Sequence, residues 1–300
     1  MIDYIPLSED NLESVHALSN NNLEYDNVPL DLFRFKTLGD PDFDPATALV
    51  AMSDGKPCGY MMAVCRKGAD SVSAGLKLFA IDREFRSRKI ASEMLSRIEA
   101  EVKSRGARAI GVGFIRPNYL TPGIDPRYTA AVAFLIRRGY TLGGYNYNMD
   151  VDLSASDWLT TELESKLAKD GIICRRLRAD ERQRLCEWMD ADGFSKGWQY
   201  QVMHAADQDP IGVFIAEQGE QILGFASYDS VRPRWFGPMG TSEKQRHGGI
   251  GSITFLKCLQ SMKEVGYDIC EIGAVGPLYF YSKVANARVS RIFWGMEKAL

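Results

Sequence analysis

Two spacings of apolar residues alternate along this chain of 300 residues. A strand is predicted at 3–7, and Ser8 followed by Glu9 and Asp10 reads as the start of a helix. A second helical stretch is expected at 30–38. Apolar runs at 48–52 and 59–65 flank the turn Ser53-Asp54-Gly55-Lys56-Pro57 and predict a hairpin. A strand at 76–81 leads through the basic segment 83–89 into an amphipathic helix. There Ile90, Met94, Ile98 and Val102 recur every four residues, and Gly106 stops the pattern. Residues 109–114 read as a strand, 128–138 as a helix and 140–151 as a long strand.

A helix predicted at 156–170, with Leu159, Leu163 and Leu167 on one stripe and Gly171 behind it, reads as a connector. The order then starts again. A strand is expected at 172–177, a helix through Leu185, Trp188 and Met189, and another at 198–206. A hairpin follows at 213–228, then a strand at 235–241, a helix at 249–265 closed by Gly266, and a strand at 269–272. A short helix at 279–285 and a strand at 289–294 end the pattern. Adding 160 to Arg86, Lys89, Ile90, Ala91 and Gly106 gives Arg246, Gly249, Ile250, Gly251 and Gly266. Four of these five pairs are identical or small-for-small, which predicts an internal duplication. The expected division is 1–153, a connector at 154–170, and 171–300.

Composition removes several classes. The chain carries 36 basic and 39 acidic residues, a formal net charge of −3, so no broad nucleic-acid surface is expected. Mean hydropathy is −0.21 and no apolar run approaches about 18 residues, so no membrane span is expected. The first residues lack a basic-then-apolar leader, and the expectation is a cytoplasmic protein. The six cysteines form no C-x-x-C pair and there are three histidines, so reduced thiols and no metal are expected.

The richest segment is 235–259. A strand runs into Gly248, Gly249 and Gly251 at the head of a helix, with Lys244 and Arg246 beside them. Free N–H groups of a first helical turn, backed by the helix dipole, suit a phosphate or pyrophosphate. A Walker loop would need Gly-Lys-Ser/Thr, which Gly251-Ser252-Ile253 is not, so phosphoryl transfer is disfavoured. A dinucleotide fingerprint would need glycine where Thr254 stands.

The remaining pattern, Arg246-x-x-Gly249-x-Gly251 between strand and helix, resembles the pyrophosphate loop of GCN5-related N-acetyltransferases. The order of elements in each half is similar to that family as well. The resemblance implies an α/β (α+β) fold of two tandem domains, each a mixed, mostly antiparallel sheet flanked by helices. It implies acetyl-CoA as co-substrate. Met239, Gly240 and Thr241 would lie along it, and Arg246, His247, Gly248, Gly249, Ile250, Gly251 and Ser252 around its pyrophosphate. Tyr281 in Phe280-Tyr281-Ser282-Lys283 matches the family's tyrosine, which implies a general acid for the leaving thiolate, with Tyr279 as the nearest competitor. Glu271, or Glu243, is the candidate base.

The first half carries the same signature with Lys89 at the first glycine and Leu135 at the tyrosine. The second half is therefore the expected active one. Trp188, Phe194, Trp198 and Tyr200 fall where an acceptor pocket would lie, yet their spacing fits core packing better. The function implied is acetyl transfer to the primary amine of a small molecule, an amino sugar being one candidate. A non-catalytic acyl-CoA sensor is the alternative, and the oligomeric state stays open.

Overall fold

Alternating burial places the strands of the first half, and the periodic stripes place its helices. In chain order they are β1 (Ile2–Pro6), α1 (Glu9–Asn22), α2 (Leu30–Lys36), β2 (Ala48–Ser53), β3 (Lys56–Lys67) and β4 (Val72–Ile81). Then come α3 (Ile90–Ser104), β5 (Ala107–Val112), α4 (Thr129–Arg137) and β6 (Thr141–Asp152). The second half adds α5 (Thr161–Ala168), β7 (Ile172–Arg176), α6 (Arg182–Ala191), α7 (Lys196–Ala206), β8 (Val213–Gln218) and β9 (Gln221–Tyr228). It ends with β10 (Trp235–Thr241), α8 (Ile250–Val265), β11 (Ile269–Ile272), α9 (Leu278–Ala285) and β12 (Arg288–Ala299). This computed structural model describes residues 1–245 and 248–300.

Two compact units result, one of Met1–Tyr145 with Phe293–Leu300 and the other of Asn146–Ile292. In the first, β1 to β4 pair antiparallel in sequence order, β4 pairs β5 in parallel, and β5 pairs the end of β12 antiparallel. On one face α1 and α2 bring Leu12, Val15 and Phe33 against Val50, Tyr60 and Met62. On the other, Met94, Ile98 and Val102 of α3 and Leu135 of α4 cover Met61, Ala63 and Leu76. The five buried apolar residues of α3 contribute roughly 7–15 kcal/mol by their removal from water.

The second unit repeats the plan. Its sheet runs β6-β11-β10-β9-β8-β7, with only β10 and β11 parallel. Leu185, Met189 and Val202 of α6 and α7 pack on Ile215 and Phe225. On the opposite face Phe255, Leu259 and Met262 of α8 pack on Phe236, Cys270 and Ile272.

Three expectations change. β4 begins at Val72 and β12 runs to Ala299, both longer than the sequence pattern suggests. The segment expected to be a connector helix is the shorter α5; it lies within the second unit, where Leu167 is buried and Leu159 is exposed. The division falls inside β6 rather than after residue 153, and the chain's last eight residues belong to the first unit. The reason is pairing: Met296–Ala299 lie on Val112–Ala109 of β5, with Met296 in that unit's core, while Met149–Asp152 lie on β11.

Candidate functional site

In the first unit β4 and β5 stay together only from Val72 to Leu76, and the Gly113 N–H closes the pair on the Leu76 carbonyl at 3.0 Å. The register against β3 shifts there, since Met62 faces Leu78 and Ala63 faces Leu76. Lys77 is thus the extra residue of a β-bulge, which bends a strand and increases its twist. Beyond it the strands part, leaving the edge of residues 77–81 without a partner strand among the described residues. A cavity of about 720 Å³ fills the wedge, walled by β4, the loop before α3, α4 and the segment at 120–125. Gly113 and Gly123 allow the two sides to close at its floor: a Cβ on Gly113, at φ 71°, would stand 2.5 Å from the Gly123 Cα.

One end of the cavity is basic. Arg83, Arg86, Lys89, Arg137 and Arg138 line it, together with the first turn of α3. Lys89 caps α3 in the left-handed region, φ 65° and ψ 3°. The Glu93 N–H closes on the Lys89 carbonyl, so the N–H groups of Ile90, Ala91 and Ser92 have no intrahelical partner. Arg138 reaches across from α4 to the Ser92 hydroxyl, and Arg86 is held by the Ile81 carbonyl and the Asn22 side chain. An anionic chain fits this end, and the parted strand edge can pair with an amide-bearing arm. Acyl-CoA has both features.

The other end is lined by Tyr25, Asp26, Asp125, Arg127 and Tyr128. The Tyr128 hydroxyl accepts from the Tyr25 N–H at 2.9 Å and donates to Asp26 Oδ2 at 3.0 Å. Arg127 grips Asp125 through two nitrogens and lies 3.8 Å from the centre of the Tyr25 ring. Sequence reasoning missed this group. Leu135, at the position expected for the family's tyrosine, is fully buried, whereas Tyr128 at the head of α4 reaches the cavity. The polar run Asp125-Pro126-Arg127-Tyr128 ahead of an apolar helix was the available signal.

In the second unit β10 and β11 also part, pairing only at Trp235–Glu271 and Phe236–Ile272. Gly249 caps α8 at φ 90°, the conformation its glycine was expected to supply. Arg246 and His247 lie outside the described residues. Gly248, Ile250, Gly251 and Ser252 surround the head of α8, but Met239 and Phe280 lie against that first turn. A Cβ on Gly251 would be 3.2 Å from the Met239 methyl and 3.7 Å from the Phe280 ring. Gly240 packs under Phe194, and Thr241 lies beside Gly224 and Gly251. Leu163 of α5 is 3.4 Å from a Cβ at Gly249, so apolar side chains crowd this helix end.

Tyr281 is buried against Phe236, Phe255 and Phe280, with ring centres 5.1–6.0 Å apart. Burial pushes its phenol above the ordinary value, and among the described residues its hydroxyl makes no hydrogen bond. Glu271 is held by Asn148 at 2.6 Å. Strand alternation puts it on the face of β11 opposite Cys270 and Ile272, which pack with Tyr281. The structure therefore does not bring Tyr281 and Glu271 together. Glu243 is exposed, as is Tyr279 under Lys283. Trp188, Phe194 and Trp198 form one aromatic cluster around Phe225 in the core, and Tyr200 lies in α7. Among the described residues no group of His, Cys, Asp or Glu is arranged for a metal, and no helix is long and apolar enough to cross a membrane.

Residues 14–120 match the model of the acetyltransferase (GNAT) family. A search of curated proteins gave no match. The chain superposes with a TM-score of 0.78, at 16% identity, on a GCN5-related glucosamine N-acetyltransferase region of a fungal multi-domain GH3 beta-N-acetylglucosaminidase. The match covers 99% of this chain and 38% of that one, so the chain spans well under half of that protein's length. A tandem GNAT protein from the clavulanic acid biosynthesis pathway matches with a TM-score of 0.70 at 13% identity, over 100% of this chain and 98% of that one. The Saccharomyces cerevisiae N-myristoyltransferase, solved with bound myristoyl-CoA, matches at 0.64 and 9% identity over 99% and 79%. The fold is that of a GNAT acetyltransferase. The chain shares the fold of tandem GNAT proteins, and the segment that matches the family model lies in its first half.

Proposed function

We propose that the protein transfers an acetyl group from acetyl-CoA to the amine of a small molecule, with the donor seated in the wedge between β4 and β5. One observation carries this reading: a single cavity joins a cation-lined helix end, an unpaired strand edge and a carboxylate–tyrosine end. Bound there, acetyl-CoA would supply an activated thioester. The head of α3 and Lys89 would hold phosphate, and the bulge at Lys77 would turn the strand edge toward the reacting end. Asp26, oriented by the Tyr128 hydroxyl, would take the proton that an ammonium must lose before it attacks. An amine flanked by hydroxyls, as in an amino sugar, suits the mixture of carboxylates, Arg127 and phenols.

A second reading keeps the donor at the head of α8 with Tyr281 as acid. It is supported by the left-handed corner at Gly249 and by the Tyr281 hydroxyl, which has no partner among the described residues. Calorimetry with acetyl-CoA separates the two. Lys89→Glu should weaken binding at least tenfold while Arg246→Glu leaves it unchanged, and the reverse result would move the donor to the second unit. No binding by the folded wild type would overturn both. A screen of primary amines for acetyl-CoA consumption then identifies the acceptor and separates enzyme from sensor.

A further inference from the structure

An arginine that lines a cavity is ordinarily an anchor for a carboxylate or a phosphate, because its planar fork offers paired N–H donors. Arg127 lines the wedge between β4 and β5 but arrives there already paired. Its Nε lies 2.9 Å from Asp125 Oδ1 and its Nη2 lies 2.5 Å from Oδ2, so one edge of the fork is filled from within the chain. The Asp125 side chain is 2% exposed, whereas that of Arg127 is 47% exposed. The guanidinium is thus half open to solvent, while the carboxylate that cancels its charge is sealed in the protein.

The turn that makes this pair is fixed on several sides. Asp125 Oδ1 also accepts the Arg127 N–H at 3.0 Å, and the Asp125 carbonyl accepts the Tyr128 N–H at 3.0 Å. Ile124 exchanges both backbone hydrogen bonds with Trp294 of β12, at 2.9 and 2.8 Å. The guanidinium carbon lies 3.8 Å from the centre of the Tyr25 ring, and the Tyr25 N–H is held by the Tyr128 hydroxyl. That same hydroxyl donates to Asp26, so the pair stands one residue along the chain from the phenol that orients the proposed base. Glu24 joins Asp26 and Asp125 in lining this part of the cavity, where acids outnumber Arg127.

Resting on the acetyl-transfer reading above, we infer that Asp125 sets the acceptor class by masking Arg127: the site takes amines that carry no carboxylate and turns away amino acids. The carboxylate of an amino acid would enter beside Asp26 and meet a guanidinium already neutralised, so it would lose water and gain no counter-charge. An amino sugar or a simple aliphatic amine brings no such group, and its ammonium is favoured by the same carboxylates. Selectivity then comes from an unmet charge on the wrong substrate.

The test measures acetyl-CoA consumption by the full chain with pairs of amines whose members differ in carrying a carboxylate: tyramine and tyrosine, ethanolamine and serine, glucosamine and muramic acid. In the wild type kcat/KM should be at least about tenfold lower for the carboxylate-bearing member of each pair that is turned over. Asp125→Asn keeps an oxygen for the Arg127 N–H but removes the masking charge. It should narrow the gap several-fold by lowering KM for the carboxylate-bearing amines. Adding Arg127→Gln should reopen the gap, which a mere loosening of the turn would not do. Equal wild-type kcat/KM within the pairs would overturn the inference and leave the proposed function standing. So would a folded Asp125→Asn protein that keeps the wild-type gap. Binding of acetyl-CoA without turnover of any amine would instead remove the reading on which the inference rests, and the inference with it.

Discussion

Lys89 and Gly249 hold the same backbone conformation, φ 65°, ψ 3° and φ 90°, ψ −2°, each directly before the long helix of its unit. Glycine adopts this region freely, whereas a side chain there costs about 1 kcal/mol. A lysine kept in a strained corner that lines a cavity invites a functional explanation.

Lys89→Gly should therefore separate stability from binding. Removing the strain should leave stability unchanged or raise it by up to about 1 kcal/mol, offset by the freedom glycine adds to the unfolded chain. Affinity for acetyl-CoA should fall several-fold through the lost ammonium. In Gly249→Ala stability should fall by about 1 kcal/mol with acetyl-CoA affinity intact. Urea denaturation and calorimetry on the two variants check both halves. Lost affinity in Gly249→Ala alone would favour the second-unit site.

How the fold showed in the sequence follows from which forces act locally. The α3 stripe of Ile90, Met94, Ile98 and Val102 was legible because one helix face makes one core contact. The repeat of elements was legible for the same reason. The exchange at β6 and β12 was not, since no local pattern tells a terminal strand which neighbour to join. The site was half legible. The residues 83–92 carry a contiguous signal, but Asp26 and Tyr128 are a hundred residues apart and meet only in the folded chain. Leu135, where the family's tyrosine is expected, is core, and Lys89, at the place of the first glycine, holds the left-handed conformation.

Asp40 is the buried hub that holds the bulge. Burial alone would raise its carboxyl, but hydrogen bonds from Arg66, at 2.8 Å, and Lys77 more than offset this and hold it below the usual carboxylate range. Burial pulls the Lys77 ammonium down to about 8, against the attraction of Asp40. Asp40→Asn leaves Lys77 buried without its counter-charge, and should cost about 3–5 kcal/mol. Asp40→Asn with Lys77→Met should cost clearly less than Asp40→Asn alone. Denaturation midpoints across the four proteins measure the coupling, and strict additivity would show that the pair does not act as a unit.

The floor of the wedge gives a steric prediction. A Cβ at Gly113 meets the Gly123 backbone, which has no flexible end to move aside. Gly113→Ala should cost at least about 2 kcal/mol from the clash and the positive φ together. Any surviving folded protein should bind acetyl-CoA more weakly, because Gly113 and Gly123 both line the cavity. Thermal unfolding with and without acetyl-CoA reads both effects, and a wild-type melting curve would show that the floor yields.

Asp229 makes the stability of the second unit depend on pH. It follows β9 in a left-handed turn at φ 57°, where burial raises its carboxyl to about 6 despite hydrogen bonds from the Tyr267 hydroxyl, at 2.9 Å, and the Arg234 N–H, at 2.7 Å. In the unfolded chain the group titrates near 4. Below about pH 4 both states are protonated and the group contributes nothing. Between about 4 and 6 the unfolded chain has lost its proton and the folded one has not, so stability falls as pH rises. Above about pH 6 the penalty is complete, at most about 2–3 kcal/mol. Asn accepts the same backbone hydrogen bond without a charge and tolerates the left-handed turn. Asp229→Asn should therefore be more stable than wild type by about 1–2 kcal/mol at pH 8 and level with it near pH 4. Urea midpoints at pH 4, 5, 6 and 8 test the shape of the difference. A gap that stays constant from pH 4 to 8 would assign the effect to packing rather than to titration of this carboxyl.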